Sequence, residues 1–72
     1  MQYVFPSGEQ LKRARKILNM SQNQLADLVH VSRPTISSIE NDRTSSEALR
    51  MLIWNVLVDQ ADSIERKILS CL

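Results

Sequence analysis

Residues 21–42 read SQNQLADLVHVSRPTISSIEND, and this stretch decides the fold. It contains two short runs of helical periodicity, LADLV and TISSI, with His30, Val31 and Ser32 in the gap that follows the first. Ser21 followed by Gln24 three residues later has the spacing of a capping box, with Leu25, Ala26 and Val29 on one face of the helix it opens. Ser32 reads as a second N-cap, with Pro34 in the first turn, where a missing N–H costs nothing. Ile36 and Ile39 are the core positions of this helix, and Asn41 and Asp42 end it. Helices of about eight residues do not persist alone in water, so these two hold only by packing crosswise. Ala26 is small where they cross, and Leu25, Val29, Val31, Ile36 and Ile39 supply the shared apolar faces. This is helix-turn-helix spacing.

The flanks extend the same pattern. Upstream, Ser7 with Gln10 forms another capping box, and Leu11, Ala14 and Leu18 mark one face, which predicts a helix over 8–18. Asn19 tolerates the left-handed conformation that ends helices, and Pro6 stands where it can staple against Leu11. Downstream, Thr44, Ser45 and Ser46 form a polar link, and Ser46 caps a fourth helix reaching about residue 58. Leu49, Leu52, Ile53, Val56 and Leu57 give that helix a core stripe. Met51, Trp54 and Val58 fall outside the stripe, and a helix apolar nearly all round needs cover on a second side. Asp62 or Ser63 opens a last helix carrying Ile64, Ile68, Leu69 and Leu72. The expectation is an all-α, compact five-helix bundle built around the helix-turn-helix.

Composition narrows the function classes. Seventy-two residues make one domain at most, with a modest core. Cys71 is the only cysteine, which excludes an internal disulfide and fits a reducing, cytoplasmic setting. His30 and Cys71 do not form a spaced ligand set, so neither a metal nor another cofactor is expected. Residues 49–58, LRMLIWNVLV, are too few to span a bilayer, so no membrane partner is expected. The net charge is +1, with six basic and four acidic side chains in residues 1–43 and three and four in 44–72. That asymmetry suits a solvated surface as well as a nucleic-acid face. Catalysis is not expected: His30 is the only histidine, no glycine loop cradles phosphate, and Asp59, Asp62 and Glu65 read as a solvated face.

The segment from Leu11 to about Leu57 resembles the helix-turn-helix domain of the Cro/lambda-repressor-like (Xre) family. LKRARKILNM followed by SQNQLADLVHVSRPTISSIEND carries the resemblance, in the opening SQ, the LA pair, the VS before the third helix, and I-x-x-I-E-N. In that family the third helix enters the DNA major groove and the second lies across the backbone.

The resemblance implies a role for each matching position. Arg33, Pro34, Ser37 and Ser38 would lie along the groove-facing side and meet base edges, with Arg33 and Ser38 foremost. Gln22, Ser32, Asn41 and Arg43 would reach phosphates, Ser32 while capping the third helix. Arg15 and Glu40 match a family ion pair tying the first helix to the third. The chemistry is compatible: arginine bonds guanine bidentately, serine fits any base, and Pro34 offers only apolar contact, as to a thymine methyl. Each residue also has a plainer reading. Arg33 would then be an exposed first-turn arginine, Ser37 and Ser38 small surface residues, Gln22 an ordinary helix start, and Asn41 and Arg43 common loop residues; the resemblance favours DNA contact for Arg33, Gln22, Asn41 and Arg43 and is neutral for the two serines.

Two positions depart from the family pattern. His30 stands in the turn where the family usually has glycine, a substitution that costs on the order of 1 kcal/mol if φ is positive there. Asp42 replaces another frequent glycine, and an acid close to phosphates weakens binding and flattens its salt dependence.

One short recognition helix reads few base pairs, so the family usually binds palindromic operators as two-fold dimers, with half-sites roughly 34 Å apart. Met51, Trp54 and Val58 facing Ile64, Ile68 and Leu72 across a dyad would supply the interface; the plainer alternative packs Trp54 on the last helix of its own subunit. The chain 1–72 thus reads as a single domain, with an N-terminal arm over 1–7, the helix-turn-helix over 22–40 and a C-terminal dimerisation helix over 59–72.

The expected function is a sequence-specific regulator of phage, mobile-element or operon promoters, repressing by steric block on double-stranded DNA. A second class stays open: an anti-repressor or modulator that pairs with a larger repressor protein, or an antitoxin autoregulating its operon. Neighbouring genes discriminate these.

Overall fold

Each helix among the described residues begins on a side chain that closes its own first turn. In the computed structural model, which describes residues 6–43 and 46–72, the helices are α1 (Gly8–Ile17), α2 (Gln22–Val29), α3 (Arg33–Glu40), α4 (Glu47–Gln60) and α5 (Ser63–Leu69). The caps are Ser7, Ser21, Ser32, Ser46 and Asp62, and those of α1, α2 and α5 are full capping boxes with Gln10, Gln24 and Glu65. No strand occurs among the described residues. The all-α helix-turn-helix fold expected from the sequence is the fold observed.

Three helices also end by one shared device. Asn19, His30 and Asp42 take positive φ, at 58°, 58° and 55°. The next amide in each case turns back to a carbonyl five residues earlier: Met20 to Arg15, Val31 to Ala26 and Arg43 to Ser38. These bonds satisfy carbonyls that a helix end leaves open. No glycine serves in any of the three turns; asparagine, histidine and aspartate are the residues that best tolerate this conformation without one.

The core is drawn from all five helices. Leu11 and Ala14 of α1, Leu25, Ala26 and Val29 of α2, Ile36 and Ile39 of α3, Ile53 and Leu57 of α4 and Leu69 of α5 are buried together, with Ala61 between α4 and α5. Helix α2 packs on α3, and α1 lies against both α3 and α4.

Two details differ from expectation. Leu52, placed in the α4 core stripe, is 48% exposed, and the buried stripe is instead Ile53 and Leu57, flanked by the half-buried Leu49, Trp54, Val56 and Val58. Apolar residues surround nearly the whole of this helix, so periodicity alone left its inward direction ambiguous. Helix α4 also continues to Gln60, past the end expected near 58, while the last helix opens at Asp62 and Ser63, as expected. The N-terminal arm up to Phe5, and Thr44 and Ser45 of the expected polar link, lie outside the described residues.

Candidate nucleic-acid interface

The buried carboxylate of Glu40, at the end of α3, organises this face. Its Oε2 accepts from Arg15 Nε at 2.6 Å, and its Oε1 accepts from Arg15 Nη2 and Gln22 Nε2, both at 3.1 Å. Arg15 Nη1 donates in turn to the Met20 carbonyl at 2.8 Å. One carboxylate therefore ties α1, the α1–α2 turn, the start of α2 and the end of α3 into one unit. The pair is deeply buried, its side chains 9% and 2% exposed, and the paired charges satisfy one another with bidentate geometry.

This hub places Gln22. Its Nε2 carries two N–H groups and gives one to Glu40, leaving the other available at the edge of α2. Along α3 the core side is Ile36, Ile39 and Glu40. Helical spacing turns Pro34 and Ser38 away from that side, with Arg33 and Ser37 flanking them. Arg33 and Pro34 are exposed, whereas Ser37 and Ser38 are half-buried. Asn41 Nδ2 folds back to the Ser37 carbonyl at 2.8 Å and lies 3.5 Å from the Ser37 hydroxyl, so Asn41 partly covers Ser37. Ser32 Oγ lies 2.8 Å from Thr35 Oγ1 and accepts from the Thr35 amide at 3.4 Å. Arg43 is exposed immediately beyond α3, its backbone fixed by the 2.8 Å bond to the Ser38 carbonyl. Gln22, Ser32, Arg33, Pro34, Ser38, Asn41 and Arg43 thus all belong to α2, α3 and the turns that bound them.

Elsewhere the six apolar positions separate. Ile64 and Ile68 are exposed, at 71% and 44%, while Trp54, Val58 and Leu72 pack partly against their own core. Trp54 and Met51 line a groove with Pro6, Gln10, Leu69 and Leu72, and Gln10 Nε2 donates to the Leu72 carbonyl at 2.8 Å.

Sequence reasoning missed Gly8. An added Cβ there would collide with the Ile39 carbonyl oxygen and stand 2.8 Å from both Glu40 O and Asp42 Oδ1. The first turn of α1 can approach the end of α3 this closely only without a side chain. The signal was in the sequence: the one glycine sits in a helix's first turn and not in a turn between helices. Asp42 also differs from expectation. Its Oδ1 accepts from the Gly8 amide at 3.0 Å, so its carboxylate faces the start of α1.

Comparison with known proteins bears on the helices that carry this face. The helix-turn-helix family profile matches residues 11–52, more than half of the chain. The protein belongs to the helix-turn-helix family of Cro/C1, Xre-like type. A protein of Methanothermobacter thermautotrophicus, provisionally named an HTH-type transcriptional regulatory protein, is 44% identical over 52 residues. That match covers 69% of this chain but only 17% of the relative. No solved structure matches the chain. Membership makes residues 11–52 a helix-turn-helix domain, and the chain spans less than a fifth of the length of the relative it matches. Among the described residues, no helix is long and apolar enough to cross a membrane.

Proposed function

We propose that this helix-turn-helix protein reads a specific double-stranded DNA sequence and represses promoters by occupying them. The observation that carries the reading is the outward row of α3, Arg33, Pro34 and Ser38, held rigid from behind by the Arg15–Glu40–Gln22 hub. A recognition helix must enter the groove as a fixed body, because base-edge bonds tolerate little misplacement. Arg33 supplies the strongest base contact, Pro34 an apolar one, and Ser37 and Ser38 weaker bonds. Gln22, Ser32, Asn41 and Arg43 bind flanking phosphates and set the docking angle.

Two copies bind a palindromic operator. Exposed Ile64 and Ile68 support an interface centred on α5, with Met51, Trp54, Val58 and Leu72 at its margin.

A second reading, a modulator that acts by binding a larger repressor, draws support from a groove of about 460 Å³. Leu18, Met20 and Leu28 give it apolar surface, Asp27 and Glu65 give it charge, and no α3 residue lines it.

Selection from a random duplex pool, with Arg33→Ala run in parallel, separates the two. An enriched palindrome that is lost with Arg33→Ala supports the DNA reader. Absence of enrichment removes it and leaves the modulator.

A further inference from the structure

The loop that leaves α3 is fastened to α1 by one hydrogen bond between residues 34 apart, Gly8 N–H to Asp42 Oδ1 at 3.0 Å. The geometry points to Asp42 as a positioning residue that holds the phosphate-facing groups Asn41 and Arg43 in place for DNA. The inference rests on the DNA-binding reading above and deepens it.

Three observations converge on the clasp. Asp42 takes positive φ, 55°, a conformation an L-residue adopts at a cost. Its carboxylate offsets that cost by meeting the N-terminus of α1, where the amides of a first turn lack partners within the helix and favour negative charge. Gly8 in turn is shaped for the contact, since a side chain there would strike Ile39 O, Glu40 O and Asp42 Oδ1. A glycine at position 42 would adopt the same turn freely yet would leave it unfastened, because it carries no acceptor.

The clasp also answers the electrostatic objection to an acid at this position. The carboxylate is committed to the Gly8 amide at the positive end of α1. Arg43, the next residue, has its own amide bonded to Ser38 O at 2.8 Å. The turn is thereby pinned on two sides, to α1 through Asp42 and to α3 through Arg43.

The experiment compares wild type with Asp42→Gly and Asp42→Asn. Asparagine keeps the Oδ1 acceptor and tolerates positive φ; glycine keeps the turn and removes the acceptor. Amide exchange of Gly8 and ¹⁵N order parameters of residues 41–43 are read in the free protein. Affinity is read against salt on a duplex enriched by the wild type.

For Asp42→Gly the expected result is Gly8 exchange at least about tenfold faster and an Arg43 order parameter falling towards about 0.6. Affinity should drop about three- to tenfold, with a salt slope shallower by about 0.9, the signature of one lost phosphate contact. Asp42→Asn should match wild type in exchange and order, and bind at least as tightly. The clasp is overturned if Asp42→Gly keeps wild-type order, affinity and slope, or if Asp42→Asn behaves as Asp42→Gly does. A wild type without duplex affinity contradicts the DNA reading instead, and the free-protein measurements alone then decide whether the clasp orders the loop.

Discussion

Arg15 grips Glu40 with two nitrogens, Nε at 2.6 Å and Nη2 at 3.1 Å, across the contact between α1 and α3. Both side chains are almost wholly buried. Removing either partner strands a charge in the interior, which costs on the order of 3–5 kcal/mol. A chain of this length has little more stability than that to lose. Glu40→Ala is therefore expected to leave the protein largely unfolded at room temperature in a urea titration. The paired replacement Arg15→Met with Glu40→Leu should recover most of the loss. Equal destabilisation by single and double variants would show that the pair's burial is not the cause.

Gly8→Ala inverts the usual helix rule. Alanine is the better helix former by about 1 kcal/mol. Here its Cβ meets the end of α3, with Glu40 O at 2.8 Å and Ile39 O nearer still. Overpacking of this kind costs about 1–3 kcal/mol, so the net effect is a loss of stability. Thermal unfolding of Gly8→Ala gives the sign directly, and a raised midpoint would contradict the close approach of α1 to α3.

His30 holds φ at 58° and ψ at 43° in the turn between α2 and α3. His30→Gly removes steric cost in the folded state but loosens the unfolded chain, so a gain of no more than about 1 kcal/mol is expected. His30→Val places a β-branched residue in a conformation it resists, and should lose more than about 1 kcal/mol. A valine variant as stable as wild type would mean that this turn does not require the left-handed conformation.

Ile64 is 71% exposed, and little of the subunit's own core depends on it. Ile64→Glu should leave the melting of the isolated subunit nearly unchanged. It should shift sedimentation at micromolar concentration from dimer to monomer, with a matching loss of affinity for a palindrome but not for a half-site. Unchanged sedimentation would place any dimer contact elsewhere.

Local chemistry made most of this fold readable from the sequence. Caps at Ser7, Ser21, Ser32 and Ser46 each combine a hydroxyl with a spaced partner or a following apolar run, so they are visible without tertiary knowledge. The positive φ of Asn19 and His30 is legible for the same reason. Leu52 was not, because α4 is apolar on nearly every side, and only packing decides which side is inward. Gly8 and Asp42 were missed as a pair because they meet across 34 residues, and no local pattern encodes that approach. The roles of Gln22 and Arg33 came from resemblance; the geometry adds only that one is oriented by Glu40 and the other stands exposed.

The central claim is that α3 and its bounding turns face DNA. It is tested most directly by mapping ¹⁵N chemical-shift changes as a duplex enriched from a random pool is titrated into the protein. Large shifts are expected at Gln22, through Ser32–Ser38 and at Asn41–Arg43, with the outer face of α5 little changed. Shifts confined to α4 and α5, or to the groove beside Leu28, would contradict it.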